Sequence, residues 1–166
     1  MAGFAGRILR NFDITGEDAA LVISSSGTSV VPVEMAEELQ GKGVKVVAMV
    51  SKTHSEASSA KREDGMKLTD FADLVLDTGA PAGDAAVSVE GLAEKVAPLS
   101  TVGGAILVNA IKAEVAERLV KGGAPPKVLA AACMVGAERS SELFEGAYDE
   151  HSRRMAKLYE NLGTNS

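Results

Sequence analysis

The feature of this sequence that most constrains its fold is a short apolar run, residues 19–23, that ends directly in a serine-rich loop. Short apolar runs bounded by turns are typical of buried strands in parallel sheets. Residues 30–40 then carry apolar side chains at helical spacing, and Gly41 or Gly43 can end the helix. A second β-branched run follows at 44–50. This order of strand, loop, helix and strand predicts a parallel βαβ unit.

The segments after residue 50 extend this unit into a larger sheet. Residues 73–76 and 128–132 are the third and fourth predicted strands. Residues 101–121 are the longest predicted helix, with Ser100 as its cap, and its apolar first half predicts burial, in the fold or against a partner subunit. We therefore expect an α/β fold: a doubly wound parallel sheet of about four strands, flanked by helices in three αβα layers.

The remaining segments give weaker patterns. Residues 51–65 predict a loop or short helix, 66–72 predict a short helical segment, 78–84 predict a loop, and 85–99 are ambiguous. Residues 138–162 predict a helix that breaks near Gly146, carries an apolar stripe of Met155, Leu158 and Leu162, and precedes a frayed tail from Gly163.

The composition predicts one globular domain over residues 1–166, with 46% hydrophobic and 24% charged residues. The formal net charge is −6 without a basic cluster, which argues against a nucleic-acid partner and against docking on an anionic membrane. No apolar stretch reaches the roughly 20 residues of a membrane span, and residues 1–10 lack the apolar core of a secretory leader. We expect a cytoplasmic protein.

The cysteine and histidine content bears on disulfides and metals. Cys133 is the one cysteine, so an intramolecular disulfide is excluded, and the alanine run before it predicts a small buried core residue rather than a reactive thiol. The two histidines, His54 and His151, lie too far apart in sequence to indicate a metal site. We expect neither a metal nor a cofactor.

Residues 24–29, which we call the serine loop, join the first strand to a helix N-terminus. A helix N-terminus offers unpaired N–H groups and a partial positive charge, which together bind phosphate without a lysine. Gly27 lets the backbone turn and approach a ligand closely. The loop has no Walker lysine, so a nucleotide P-loop is disfavoured. The alternative is a turn whose hydroxyl groups merely cap the helix.

The stretch at residues 22–29 resembles the strand and Ser-x-Ser-Gly phosphate loop of the SIS (sugar isomerase) domain family. The sequence is most similar to an uncharacterised bacterial group of that family, through residues 51–55, 65–68, 72–73, 83–85, 95–96, 100–101, 149–151 and 153–154. By this resemblance the chain lacks the first strand and glycine-rich loop of the family domain. An uncovered sheet must pair with something, so we expect a homodimer or homotetramer.

The resemblance implies a role for each candidate residue. The phosphate would be held by the hydroxyl groups of Ser24, Ser26 and Ser29 and by the N–H groups of Ser25, Gly27 and Thr28. Catalytic acid/base candidates for an aldose–ketose isomerase are Glu90, His54 and His151, with Glu94 as a further carboxylate. Asp84, Ser100 and Thr101 would contact the sugar, or instead cap helices, and Lys52 could neutralise a phosphate.

Three functions remain open at this stage. The first is a phosphosugar isomerase or related enzyme, and the second is a non-catalytic module that senses a phosphosugar, or an inactive fragment that needs a partner. One fold hosts both classes, so the fold does not decide between them. The third is a flavodoxin-like protein, which the shortage of aromatic residues disfavours, because Trp is absent and Phe and Tyr number 4 and 2.

Overall fold

The computed structural model describes residues 3–162, except for the side chains of residues 158, 161 and 162. The chain divides into two compact units, Met1–Asn109 and Ala110–Ser166. The longest of the first unit's helices, Ser100–Lys121, continues across the boundary between the units.

The first unit holds the sheet and most of the short elements. Its elements in chain order are α1 (Phe4–Leu9), β1 (Ala19–Ile23), α2 (Val30–Gly41), β2 (Lys45–Val50), α3 (Lys52–Ala57), a 3-10 helix (Leu68–Phe71), β3 (Leu74–Asp77), β4 (Ala85–Val87), β5 (Val96–Pro98) and the start of α4 (Ser100–Lys121). The second unit contains the rest of α4, then α5 (Ala132–Val135) and α6 (Ala137–Leu162).

Three parallel strands form the main sheet in the order β1-β2-β3. Val22 pairs with Ala48, and Ala48 pairs with Val75, so β2 is the central strand. The predicted α/β class, with a parallel sheet flanked by helices, is confirmed. The ambiguous segment 85–99 forms a separate antiparallel hairpin of β4 and β5.

The main core lies between α2 and one face of the sheet. Val33 and Ala36 of α2 are fully buried, as are Val46, Ala48 and Val50 of β2. Because strand side chains alternate between faces, these three β2 residues share the face that α2 covers. Fully burying a valine-sized side chain contributes about 1.5–3 kcal/mol, so this layer is the main source of the sheet's stability.

The opposite face of the sheet is covered only in part by described residues. Met49 is fully buried, and Gly104 of α4 lies beside its Sδ atom. Leu21, Ile23 and Leu74 point the same way by alternation, yet they are 39%, 53% and 54% exposed. This face is therefore apolar and largely open in the first unit as described.

Three predictions are wrong: the strand at residues 128–132, the helix break near Gly146 and the burial of Cys133. Residues 128–132 form no strand: 128–131 are irregular and Ala132 begins α5, and Val128 and Leu129 are 60% and 62% exposed. A short apolar run in a sequence does not show which strand it would pair with. No strand among the described residues pairs with this segment. The apolar first half of α4 is exposed within this chain, where Val102 and Ile106 are 54% and 64% exposed, so its burial against a partner subunit stays a prediction.

The predicted break near Gly146 is also wrong, because α6 runs without interruption from Ala137 to Leu162. One interior glycine costs about 1 kcal/mol, which a helix of 26 residues absorbs. Cys133 is exposed rather than buried, because its segment forms the short α5 and not a core strand. Met155 is half-buried, but the other two stripe side chains, Leu158 and Leu162, and the tail from Gly163 lie outside the described residues.

A search of the described helices for a membrane span gives a negative result: each is too short or too polar to cross a bilayer.

Gly103 provides a test of how closely α4 packs on the sheet. A Cβ atom at Gly103 would lie 2.3 Å from the carbonyl oxygen of Thr78, the residue that follows β3. We predict that Gly103→Ala lowers the free energy of unfolding by about 1–3 kcal/mol, the usual range for overpacking. Urea denaturation monitored by circular dichroism measures the change.

The neighbouring glycine is the matched control. A Cβ atom at Gly104 would meet only the Sδ atom of Met49, at an ordinary 3.8 Å. Gly104→Ala should therefore be neutral or stabilise the protein by up to about 1 kcal/mol through helix propensity. Equal effects of the two substitutions would contradict the close approach of α4 to Thr78.

Candidate functional site

The three parallel strands end at one edge of the sheet, and each is followed there by polar residues. The serine loop follows β1, Ser51 and α3 follow β2, and residues 78–84 follow β3. Because parallel strands point the same way, these three segments meet. The carboxyl edge of a parallel sheet is the usual place for ligands in this class of fold.

Backbone hydrogen bonds fix the serine loop to its neighbours. The N–H of Ser51 donates to the carbonyl of Ser25 at 2.9 Å, and the N–H of Leu68 donates to the carbonyl of Gly27 at 2.8 Å. The N–H of Ser24 continues the ladder by donating to the carbonyl of Met49 at 3.0 Å. The serine loop is thus bonded to the C-terminal end of β2 and to the 3-10 helix.

Gly27 occupies a position that favours glycine for two reasons. Its φ is +64°, in the left-handed region that side chains with a Cβ atom rarely adopt. A Cβ atom there would also meet the Cγ1 atom of Val50 at 3.3 Å and the Cβ atom of Leu68 at 3.5 Å. The next residue, Thr28, is only 1% exposed. The loop conformation therefore depends on glycine at this position.

The polar groups of the loop bond one another in this structure. The hydroxyl oxygens of Ser26 and Thr28 are 2.9 Å apart, and the N–H of Thr28 donates to the Ser26 hydroxyl at 3.4 Å. The N–H of Gly27 donates to the carbonyl of Ser24 at 3.0 Å. The roles in phosphate binding that the resemblance implies for Ser24, Ser26, Gly27 and Thr28 stay predictions.

Helices that begin at this edge are capped differently. Ser51 caps α3, because its hydroxyl accepts the N–H of His54 at 3.1 Å. Asp84 caps α4, because its carboxylate accepts the N–H of Ser100 at 2.7 Å. Ser29 is the N-cap of α2, yet its side chain caps no N–H group within the described part of the chain. The side chain of Ser29 therefore satisfies none of the first N–H groups of α2.

His54 is the catalytic candidate in the first unit that hydrogen-bonds the serine loop. Its Nδ1 atom lies 3.4 Å from the hydroxyl oxygen of Ser25, and the side chain is half-buried. The first turn of α3 is fixed around it, since the hydroxyl groups of Ser51 and Thr53 donate to the carbonyl of Ala80 at 2.6 and 2.9 Å. These bonds hold the imidazole between the ends of β1 and β3.

Asp77, at the end of β3, is a site residue that sequence reasoning missed. Its carboxylate accepts the N–H groups of Gly79 at 3.0 Å and Lys52 at 3.1 Å, and these bonds hold its pKa below the usual range for aspartate. The carboxylate thus joins the start of α3 to the loop after β3. The sequence signal was available: an acidic residue directly after the third predicted strand, at the ligand edge.

Asp84 and Ser100 lie together at the start of α4. The Asp84 carboxylate accepts the Ser100 hydroxyl at 2.6 Å and the N–H groups of Ser100 at 2.7 Å and Leu99 at 3.1 Å. The Ser100 hydroxyl and amide hold the pKa of Asp84 below its usual value, with smaller contributions from the Leu99 amide and the charge of His54. The geometry is that of a helix cap, and sugar contact by Asp84, Ser100 or the exposed Thr101 stays a prediction.

The other candidates lie elsewhere in the structure. Glu90 is exposed in the turn that joins β4 to β5, and Glu94 is exposed in the same connection. His151 belongs to the second unit, on α6, where it lines a cavity of about 610 Å³ with Lys127, Glu150 and Arg154. Glu150 is 3.5 Å from the Nζ atom of Lys127 and also pairs with Arg154.

Comparison with known proteins identifies related sequences. Residues 1–51 match the SIS domain family, so the resemblance carried by the serine loop is confirmed. UPF0309 proteins are similar over most of the chain: that of Brucella anthropi is 40% identical over 136 residues, covering 82% of this chain and 55% of the relative. That of Halalkalibacterium halodurans is 36% identical, with 82% and 56% covered, and that of Listeria innocua is 31% identical, with 96% and 63% covered.

These matches cover only part of each relative. The matched part spans between 55% and 63% of the length of these relatives, and their names give no activity. The SIS domain belongs to a phosphosugar-binding family, which supports the coarse class of ligand. A single SIS-type domain over residues 1–166 stays a prediction, because the family match ends at residue 51.

Gly27 provides a test of the loop geometry. We predict that Gly27→Ala lowers the free energy of unfolding by about 1–2 kcal/mol, because alanine is strained at a left-handed φ and crowds Val50. Gly41, the last residue of α2, is the control, since a Cβ atom there meets nothing within 4 Å. Gly41→Ala should be neutral or slightly stabilising. Equal stability of the two variants in urea denaturation would contradict the strained loop.

Proposed function

We propose, on the premise that this chain belongs to the SIS domain family and is related to the UPF0309 proteins, that it binds a phosphorylated sugar at the serine loop. The observation that carries the proposal is the N-terminus of α2. At this edge Ser51 and Asp84 accept N–H groups at the starts of α3 and α4, whereas the side chain of Ser29 accepts none at the start of α2.

The chemistry around α2 suits a phosphate group. The first N–H groups of a helix carry partial positive charge, and α2 is 12 residues long, enough for its dipole to act at this end. Pro32 in its first turn has no N–H, so Val30 and Val31 supply the donors there. Hydroxyl groups of the serine loop exchange their mutual bonds for charge-assisted bonds to phosphate oxygens, which are stronger.

The finer proposal is an aldose–ketose isomerase with His54 as its acid/base group. The reaction removes a proton from the carbon beside the carbonyl, forms an enediol, and returns a proton to the neighbouring carbon. An imidazole can both accept and donate a proton through its ring nitrogens, which suits both steps. The Ser25 hydroxyl at Nδ1 orients the ring, so Nε2 is the nitrogen that would face the sugar.

The alternative is a module that binds the same phosphosugar without turning it over, alone or with a partner. It is supported by the fact that the described first unit brings one acid/base candidate to the serine loop, while Glu90 lies in an exposed hairpin turn. The two functions share the ligand and differ in turnover. Measurements of binding and of catalysis therefore separate them.

The assembly we propose is a cytoplasmic homodimer or homotetramer. It is supported by the open apolar face of the sheet, with Leu21, Ile23 and Leu74 each more than a third exposed. Contiguous apolar surface of this kind is typical of faces that pack against another chain.

Ligand binding is tested by thermal shift against a panel of hexose, pentose, heptose and amino-sugar phosphates, each with its unphosphorylated sugar and inorganic phosphate. A ligand at about 100 times its Kd should stabilise the protein by roughly 2.7 kcal/mol. We predict that one sugar phosphate raises the Tm and that Ser26→Ala abolishes this shift.

The control is Ser59→Ala, which removes an exposed hydroxyl in the loop after α3. It should leave the ligand-induced shift unchanged. The absence of a shift for every sugar phosphate, or an unchanged shift in Ser26→Ala, would be evidence against the serine loop as the phosphate site.

Catalysis is tested by His54→Gln in an isomerase assay with the sugar phosphate that binds. We predict that kcat falls by about 10²–10⁴-fold while the ligand-induced Tm shift is retained, because the imidazole moves protons and does not hold the phosphate. A comparison with Glu90→Gln separates the candidates. If Glu90→Gln loses turnover and His54→Gln does not, the assignment to His54 is wrong. Binding without turnover in the wild type favours the sensing module.

A further inference from the structure

Two long helices begin at the carboxyl edge of the sheet, and they differ in which groups accept hydrogen bonds from their first N–H groups. The helix α2, of 12 residues, starts at the serine loop, where its own side chain supplies no cap within the described residues. The helix α4, of 22 residues, starts at Ser100, where the carboxylate of Asp84 accepts two N–H groups. The partial positive charge at the N-terminus of α4 is thus already neutralised by a carboxylate of this chain.

Asp84 is built into this position. Its φ is +72°, a left-handed conformation that is uncommon for residues other than glycine, although aspartate and asparagine tolerate it best. Its own N–H donates to the carbonyl of Pro81 at 2.8 Å, and both of its carboxylate oxygens accept bonds from Ser100. The side chain is half-buried and holds its negative charge at neutral pH, since these bonds lower its pKa.

The carboxylate lies close to the proposed sugar site. Ala80, four residues before it, accepts hydrogen bonds from Ser51 and Thr53 in the first turn of α3. His54 follows in the same turn and contacts Ser25 of the serine loop. The charge of His54 also acts on Asp84. The imidazole therefore has the serine loop as its neighbour, and the loop that leads to Asp84 is bonded to the same turn of α3.

We propose that Asp84 determines specificity by admitting ligands with one anionic group and rejecting those with a second. This inference rests on the proposed phosphate site at the serine loop. A phosphate seated there directs the rest of the ligand past His54 toward a fixed negative charge. A second phosphate or a carboxylate is then repelled, whereas a neutral or amino sugar is not. The site thus selects sugar monophosphates against sugar bisphosphates and phosphorylated sugar acids.

Asp84→Asn is the variant that tests this inference. Asparagine tolerates the same backbone conformation and keeps an acceptor oxygen for the Leu99 and Ser100 amides, but it has no charge. Titration calorimetry compares a ketohexose monophosphate with the matching bisphosphate in the wild type and in the variant. We expect the wild type to prefer the monophosphate and Asp84→Asn to reduce that preference about tenfold, mainly through tighter binding of the bisphosphate.

Asp13→Asn is the matched control, because it removes one negative charge from an exposed loop before β1, at the other edge of the sheet. It should leave the preference unchanged, which separates a local effect from the change in net charge. The wild type in rising salt gives a second measurement that needs no mutation. Screening should narrow the same preference, since the repulsion is electrostatic.

The outcomes distinguish this inference from the proposed function. If the monophosphate binds and neither Asp84→Asn nor salt narrows the preference, Asp84 does not set specificity and the phosphate site stands. Equal affinity of the wild type for both ligands would likewise overturn the role of Asp84 and leave the phosphate site intact. If neither ligand nor any other sugar phosphate binds the wild type, the phosphate site is wrong, and this inference fails with it.

Discussion

The rest of the structure depends on the position of β2 between two parallel neighbours. Its apolar residues from Val46 to Val50 alternate between a face covered by α2 and a face that Met49 presents to the start of α4. Parallel pairing with β1 and β3 then brings three strand ends to one edge. The polar residues at that edge lie together because the apolar residues of β2 from Val46 to Val50 fix the register of both neighbouring strands.

The candidate site is held mainly by the backbone. Amides of Leu68 and Ser51 bond carbonyls of the serine loop, and Gly27 supplies the left-handed turn between them. Side chains add direction, since Ser51 and Asp84 cap their helices from outside the serine loop. Groups held by many short bonds need little reordering when a ligand arrives, which lowers the cost of binding.

The sequence was sufficient to predict those elements whose structure depends on residues nearby in the chain. The strand at 19–23, the helix that follows and the serine loop were predicted because periodicity and turn residues act over short distances. It failed where a distant partner decides, as in the strand expected at 128–132 and the burial expected for Cys133. His54 was predicted as a candidate, but the capping role of Asp84 could only be judged once Ser100 was seen beside it.

The edge position of β1 has a consequence for how this chain folds. Among the described strands, β1 pairs on one side only, and its five residues include no charge and no proline. Charged residues and prolines are the features by which edge strands usually resist pairing with other molecules, and β1 has neither. During folding, the free side of β1 can pair with an extended segment of another molecule. The yield of native protein should therefore depend on the competition between correct strand pairing and self-association. Dilution favours correct pairing, and crowding favours self-association.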